Sequence, residues 1–163
     1  MSDSRARRRG ALQQNRVLRG GAGLVLAASA LALGGCATGN YPGDPANTLP
    51  DGDYTGQSVP EADGSYGVVN FTVEGGQVTA ADFLMFDEDG TPHDDNYGLG
   101  SGGVPADEAF YQRAQNAILA EQGYVSQFVE AGDQEQVETI AGASLSYRAF
   151  RSAVSDAVMN AGA

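Results

Sequence analysis

With 163 residues the chain is long enough for one ordinary domain plus an appendage, and too short for two full domains. A hydrophobic content of 42%, with six Phe and seven Tyr, can build a modest core and excludes wholesale disorder, while 23 Gly assign much of the backbone to loops. All nine basic residues are Arg, and six of them (Arg5, Arg7, Arg8, Arg9, Arg16, Arg19) precede residue 20, so beyond residue 35 three Arg face 20 carboxylates, a net charge of −17. A surface so negative excludes a nucleic-acid partner.

Residues 1–35 have the layout of a secretory signal peptide: Arg-rich as far as Arg19, apolar over 21–33, then small residues up to Cys36. The apolar stretch has 13 residues against the roughly 20 that a membrane-spanning helix needs, which favours a cleaved leader. Arg8-Arg9 lacks the apolar and basic residues that normally follow a twin-arginine export pair. Leu33-Gly34-Gly35-Cys36 resembles the bacterial lipobox. That resemblance implies a lipoprotein, cut before Cys36, with a diacylglyceryl group on its thiol. As Cys36 is the only Cys, no intrachain disulfide can form. Two or more acyl chains such as palmitate attach a protein stably, so the expected location is the extracytoplasmic face of the cell membrane, with a hydrophobic anchor. Residues 36–50, punctuated by Pro42, Pro45 and Pro50, read as a lipidated flexible tether. The folded domain is expected over 51–163.

Residues 52–57 suit a short strand. Over 66–73 the alternation is clearer, with Val69, Phe71 and Val73 on one face and Val68, Asn70 and Thr72 on the other. Glu74-Gly75-Gly76 supplies a tight turn, and in 77–86 Val78, Ala80, Leu84 and Phe86 are in phase, which predicts an antiparallel hairpin. Asp82 falls on that same face without explanation. The acidic stretch 87–95 has carboxylates that a hard cation would accept, but its spacing fails the EF-hand template and Pro92 stands where a ligand should. A solvated turn is the better reading, with His93 a surface histidine.

Pro105-Ala106-Asp107-Glu108 predicts a helix start, with Phe110, Ala114, Ala117 and Ile118 facing the core and Gly123 ending the helix. A shorter helical piece follows over 124–131. The last helix is marked by Tyr147, Phe150, Val154, Ala157 and Val158 at helical spacing. Together these elements predict a single α+β domain, an antiparallel sheet with helices packed against it.

Between the helical pieces runs Glu138-Thr139-Ile140-Ala141-Gly142-Ala143-Ser144-Leu145-Ser146, small residues and hydroxyls leading into the final helix. The first amides of a helix lack internal partners and attract anions, and Gly142 and Ala143 would let a phosphate approach the backbone. Arg148 and Arg151 in the first turns could offset phosphate charge. The alternative is a helix capped by Ser144 or Ser146 with solvent-facing arginines. Residue patterns alone leave both readings open.

This segment resembles the hallmark of the FMN-binding domain family, in which an acidic residue and two variable positions precede Ser/Thr-Gly-Ala-Thr and a further hydroxyl two residues on. Asp51-Gly52-Asp53-Tyr54-Thr55-Gly56 is similar to the family's opening strand and Gly75-Gly76-Gln77-Val78 to its hairpin turn, so the likeness covers most of 51–160, in the surface-lipoprotein branch. The resemblance implies FMN as cofactor. It also implies that Ser144 is esterified to the FMN phosphate by a magnesium-dependent flavin transferase, within a binding segment of Glu138, Ala141, Gly142, Ala143, Ser146 and Arg148. Here Glu138 stands for the usual Asp, Ala141 for Ser or Thr, and Ser144 for Thr. The implied function is electron transfer between a membrane redox donor and an extracellular acceptor. A flavin-free binding or structural surface lipoprotein that keeps the fold is the alternative, and a small flavin reductase a third reading, although no nucleophile, base and orienting group cluster in the sequence.

Overall fold

The computed structural model describes residue 40 and residues 42–161. The residues read as a signal peptide and Cys36 lie outside the described residues. Three strands, β1 (Gly52–Gln57), β2 (Tyr66–Glu74) and β3 (Gln77–Phe86), form one antiparallel sheet in the order β1-β2-β3. Two helices, α1 (Glu108–Ala131) and α2 (Ser144–Asn160), complete the α+β domain, α2 lying against β1 and β2 and α1 against β3. None of the helices among the described residues is long and apolar enough to cross a membrane.

Strand β2 buries Val69, Phe71 and Val73 as its alternation predicts. The turn into β3 places Gly75 and Gly76 at φ 59° and 74°, left-handed positions that the tight hairpin requires. In β3 the predicted phase is reversed. Thr72 pairs with Ala80 but Val73 with Val78, so Thr79 is an extra residue. This bulge turns the remaining strand over, and Phe83 and Met85 enter the core in place of Leu84 and Phe86. Asp82 therefore faces outward. There it accepts a hydrogen bond from the Asn70 amide at 3.0 Å, whose oxygen in turn accepts from Thr55 at 2.8 Å.

Helix α1 begins as expected, with the Asp107 carboxylate accepting from the Phe110 N–H at 3.0 Å, and ends at left-handed Gly132. It does not stop at Gly123. The helix runs through that residue because a side chain there would meet Ile140, a Cβ lying 2.7 Å from Ile140 Cδ1. The packing gained outweighs the roughly 1 kcal/mol that glycine costs a helix interior. Phe110, expected in the core, is 42% exposed and leans on Tyr97 at 6.0 Å.

The core is aromatic at its centre. Phe128 meets Phe71 and Phe150 edge-on at 5.3 and 5.6 Å, and Phe150 meets Phe83 at 5.2 Å. Part of the segment read as tether joins this core: Ala46 and Leu49 are buried around a short 3-10 turn, and the Asn47 N–H donates to Gly132 O at 2.9 Å. Its prolines mark irregular backbone without excluding packing.

Gly56 sets the distance between sheet and helix. A Cβ at this position would run into the backbone of α2 at Ala153 and Ala157, which cannot retreat as a flexible side chain would. Gly56→Ala is expected to cost about 3 kcal/mol, the upper range of overpacking. Urea denaturation should show a lower midpoint at unchanged slope.

Candidate functional site

The segment 138–143 is held from below by α1. The Gln127 side chain accepts from the Glu138 N–H at 2.7 Å, and Tyr124 secures the turn that follows. Its hydroxyl accepts from the Ile140 N–H at 3.1 Å and donates to Ala143 O at 3.0 Å, bracketing the two ends of the turn. Burial pushes the Tyr124 hydroxyl's pKa up, so it stays a donor. Within the turn Gly142 has φ 85°, a conformation a side chain resists, and open space where a Cβ would stand. Tyr124→Phe leaves two backbone groups without this partner and is expected to cost about 1–3 kcal/mol. Hydrogen exchange at residues 140–143 should quicken in that variant beyond the global loss of stability.

Neither serine caps α2. The N-cap is Ala143, and no side chain accepts from the first amides of the helix. Ser144 is exposed, and its hydroxyl has no hydrogen-bond partner among the described residues. Ser146, two residues on and across the helix, is buried and donates to Glu121 at 2.8 Å. The structure thus gives the two hydroxyls opposite settings, one open to a ligand and one committed to the core.

The arginines are engaged elsewhere. Arg148 pairs with Glu61 at 2.8 Å, and Arg151 pairs with Glu135 while lying over the Tyr147 ring at 5.6 Å. Ala141 and Glu138 are exposed beside the turn, and Ala143 is buried beneath it. Residues 138–146 are thus contiguous at the start of α2, while the Arg148 guanidinium is drawn toward the loop that follows β1.

This geometry, a serine hydroxyl at an uncapped helix start behind a left-handed glycine, coincides with a family match. The family model of the FMN-binding domain matches residues 64–159, well over half of the chain. The chain belongs to the FMN-binding domain family. FMN is accordingly the cofactor of this FMN-binding domain. A crystal structure of the CPE2226 protein from Clostridium perfringens shares the fold at a TM-score of 0.53, with 20% identity over 69% of this chain and 88% of that one. No curated protein matches. The residues present fit an FMN joined through its phosphate. Ser144 offers a free hydroxyl, Gly142 leaves the approach open, and the start of α2, which no side chain caps, favours the phosphate charge.

One residue of this FMN-binding domain escaped the sequence reading. Glu121 is only 3% exposed, and burial pushes its carboxyl up to about 7 despite the opposing hydrogen bond from Ser146. The signal was present, since Ile118, Glu121, Tyr124 and Phe128 share one helical face. A helix taken to end at Gly123 conceals it. Glu121 lines a cleft of about 280 Å³ between β3, α1 and the loop at 93–96. In that loop His93 is half-buried and not freely exposed: its Nε2 lies 2.9 Å from the Asp87 carboxylate and its ring stacks on Tyr97 at 3.7 Å. Asp87 also accepts from the Tyr97 hydroxyl at 3.0 Å, and burial with this carboxylate pushes Tyr97 up to about 12.

Proposed function

We propose that this protein is an extracytoplasmic, lipid-anchored FMN carrier whose flavin is joined by a phosphoester to Ser144 and passes electrons between a membrane redox donor and an extracellular acceptor. The observation that supports this most directly is the exposed, unpartnered Ser144 hydroxyl at the start of α2 behind Gly142. In the loading reaction the Ser144 oxygen attacks the FMN-side phosphorus of FAD. A phosphoester forms, the pyrophosphate bond breaks with AMP leaving, and the hydroxyl proton passes to solvent. The bound flavin supplies reversible uptake and release of electrons.

Charge supports a covalent link. With a net charge of −17 beyond residue 35, the domain opposes a dissociable phosphate dianion, and Arg148 already answers Glu61. A covalent bond also retains the cofactor outside the cytoplasm. The leader, the lipobox-like Leu33-Gly34-Gly35-Cys36 and a negative domain that a membrane surface would repel together support a lipid anchor at Cys36. Coexpression of the full chain with a flavin transferase tests the reading. The expected product is yellow, with an intact mass raised by one FMN less one water and a fluorescent band that survives denaturation. A colourless chain of unmodified mass would falsify it.

A further inference from the structure

Among the described residues, the two edges of the sheet differ in how their backbone groups are met. On the β1 edge α2 supplies acceptors: the Gln57 N–H donates to Asp156 Oδ2 at 3.0 Å, and just past the strand the Val59 N–H donates to Ser152 Oγ at 3.1 Å. On the β3 edge the chain returns only briefly. The Asp87 N–H donates to Thr91 O at 2.9 Å and the His93 N–H to Met85 O at 2.8 Å, so residues 91–93 lie antiparallel to the end of β3 as the beginning of a fourth strand. In β3 alternate residues turn their backbone groups away from β2, so Ala81 and Phe83 point their N–H and C=O to the same side as the Met85 carbonyl. No described residue pairs with them. Two rungs of the ladder are thus open, and an open edge is a template for a further strand.

Charge decides what can be added there. Asp82 stands between the two open rungs, exposed on the outer face, with one oxygen accepting from Asn70 at 3.0 Å and the other without a described partner. Asp94 and Asp95 line the cleft beside Phe83. A second copy of this chain, paired antiparallel through Ala81 and Phe83, would set Asp82 directly opposite its counterpart at a Cα separation of roughly 4.5 Å. Like charges so placed oppose pairing, and each domain already carries −17 beyond residue 35. We propose that the open edge of β3 at Ala81 and Phe83 receives an extended segment of a partner protein as a fourth, antiparallel strand, with Lys or Arg opposite Asp82. The residues of that segment opposite Ala81 and Phe83 turn to the inner side, where Ile118 of α1 lies beside Phe83. The pattern this edge accepts is therefore apolar, basic, apolar. Backbone rungs supply affinity, and Asp82 selects the charge. The inference is independent of flavin attachment, since none of these groups belongs to the turn at Gly142 or to Ser144.

The test titrates the isotope-labelled full chain with a synthetic peptide of alternating lysine and valine, followed by amide hydrogen exchange in NMR spectra. Binding should slow exchange of the Ala81 and Phe83 N–H groups by about tenfold or more, while Ala80 and Asp82, whose N–H groups face β2, change little. Replacing each lysine by glutamate should weaken binding by about tenfold. N-methylation of the peptide amides that face β3 should do the same, because it removes the donors to Ala81 and Phe83 C=O and leaves every charge in place. Asp82→Asn, which keeps an acceptor for Asn70, should lower the preference for lysine over glutamate severalfold at an unchanged urea midpoint. A lysine peptide that fails to bind at millimolar concentration overturns the proposal, as does binding that leaves Ala81 and Phe83 exchange unchanged or is indifferent to N-methylation. Sedimentation of the chain alone should show a monomer. A dimer that protects the same two amides would give the edge to a second copy and overturn the proposal as well.

Discussion

Ser144→Ala yields a stable chain that carries no covalently held flavin. The stability half of this expectation follows from the exposed, unpartnered hydroxyl, whose removal should fall within about 0.5 kcal/mol of neutral. The loading half follows from the proposed phosphoester, because Ser144 sets an exposed hydroxyl at the uncapped start of α2, whereas the exposed Thr139 hydroxyl lies before the turn. Ser146→Ala should do the reverse. Flavin attachment persists, while the buried Glu121 loses its only hydrogen bond at a cost of about 1–3 kcal/mol. Intact mass and urea denaturation of the two variants, each coexpressed with the transferase, separate the roles. Covalent flavin in Ser144→Ala would move the attachment point elsewhere.

The second large effect concerns pH. Folded Glu121 holds its proton up to about 7, whereas the unfolded chain releases it near 4.5, so between these values the folded state binds more protons. Its stabilising contribution is therefore complete below about pH 4.5 and is lost as pH rises through about 7. The interval corresponds to roughly 3 kcal/mol. Glu121→Gln removes this dependence while retaining the hydrogen bond from Ser146. The variant should match the wild type near pH 4.5 and exceed it by roughly 2–3 kcal/mol near pH 8. Chemical denaturation across this range provides the check, since the difference between the two proteins isolates the contribution of Glu121. Parallel curves would show that Glu121 ionises in the folded state as it does in water.

Much of the candidate segment was legible before any fold was known. Contiguous residues with a local physical use, such as Gly142 and Ser144 at a helix start, leave their pattern in the chain whatever packs around them. The environments of Ser144 and Ser146 were not legible. Two hydroxyls two positions apart look equivalent in sequence, and only the docking of α2 on α1 sends one outward and the other onto Glu121.

By itself the sequence determined the class of fold, the core face of β2, the buried stripe of α2 and membership in an FMN-binding family. The first three rest on periodicity and short-range chemistry, which depend on neighbours along the chain, and the last on the likeness of its motifs to those of the family. Tertiary structure alone decided the rest. The bulge at Thr79 reverses β3 because one extra residue turns every later side chain over. Gly123 continues α1 because Ile140 comes close enough to need its missing side chain. Ala46 and Leu49 are drawn in because burial of apolar surface overrides the irregularity of a proline-rich stretch. Glu121 acquires its raised pKa only when α2 and β3 close over it and exclude the water that would solvate its charge.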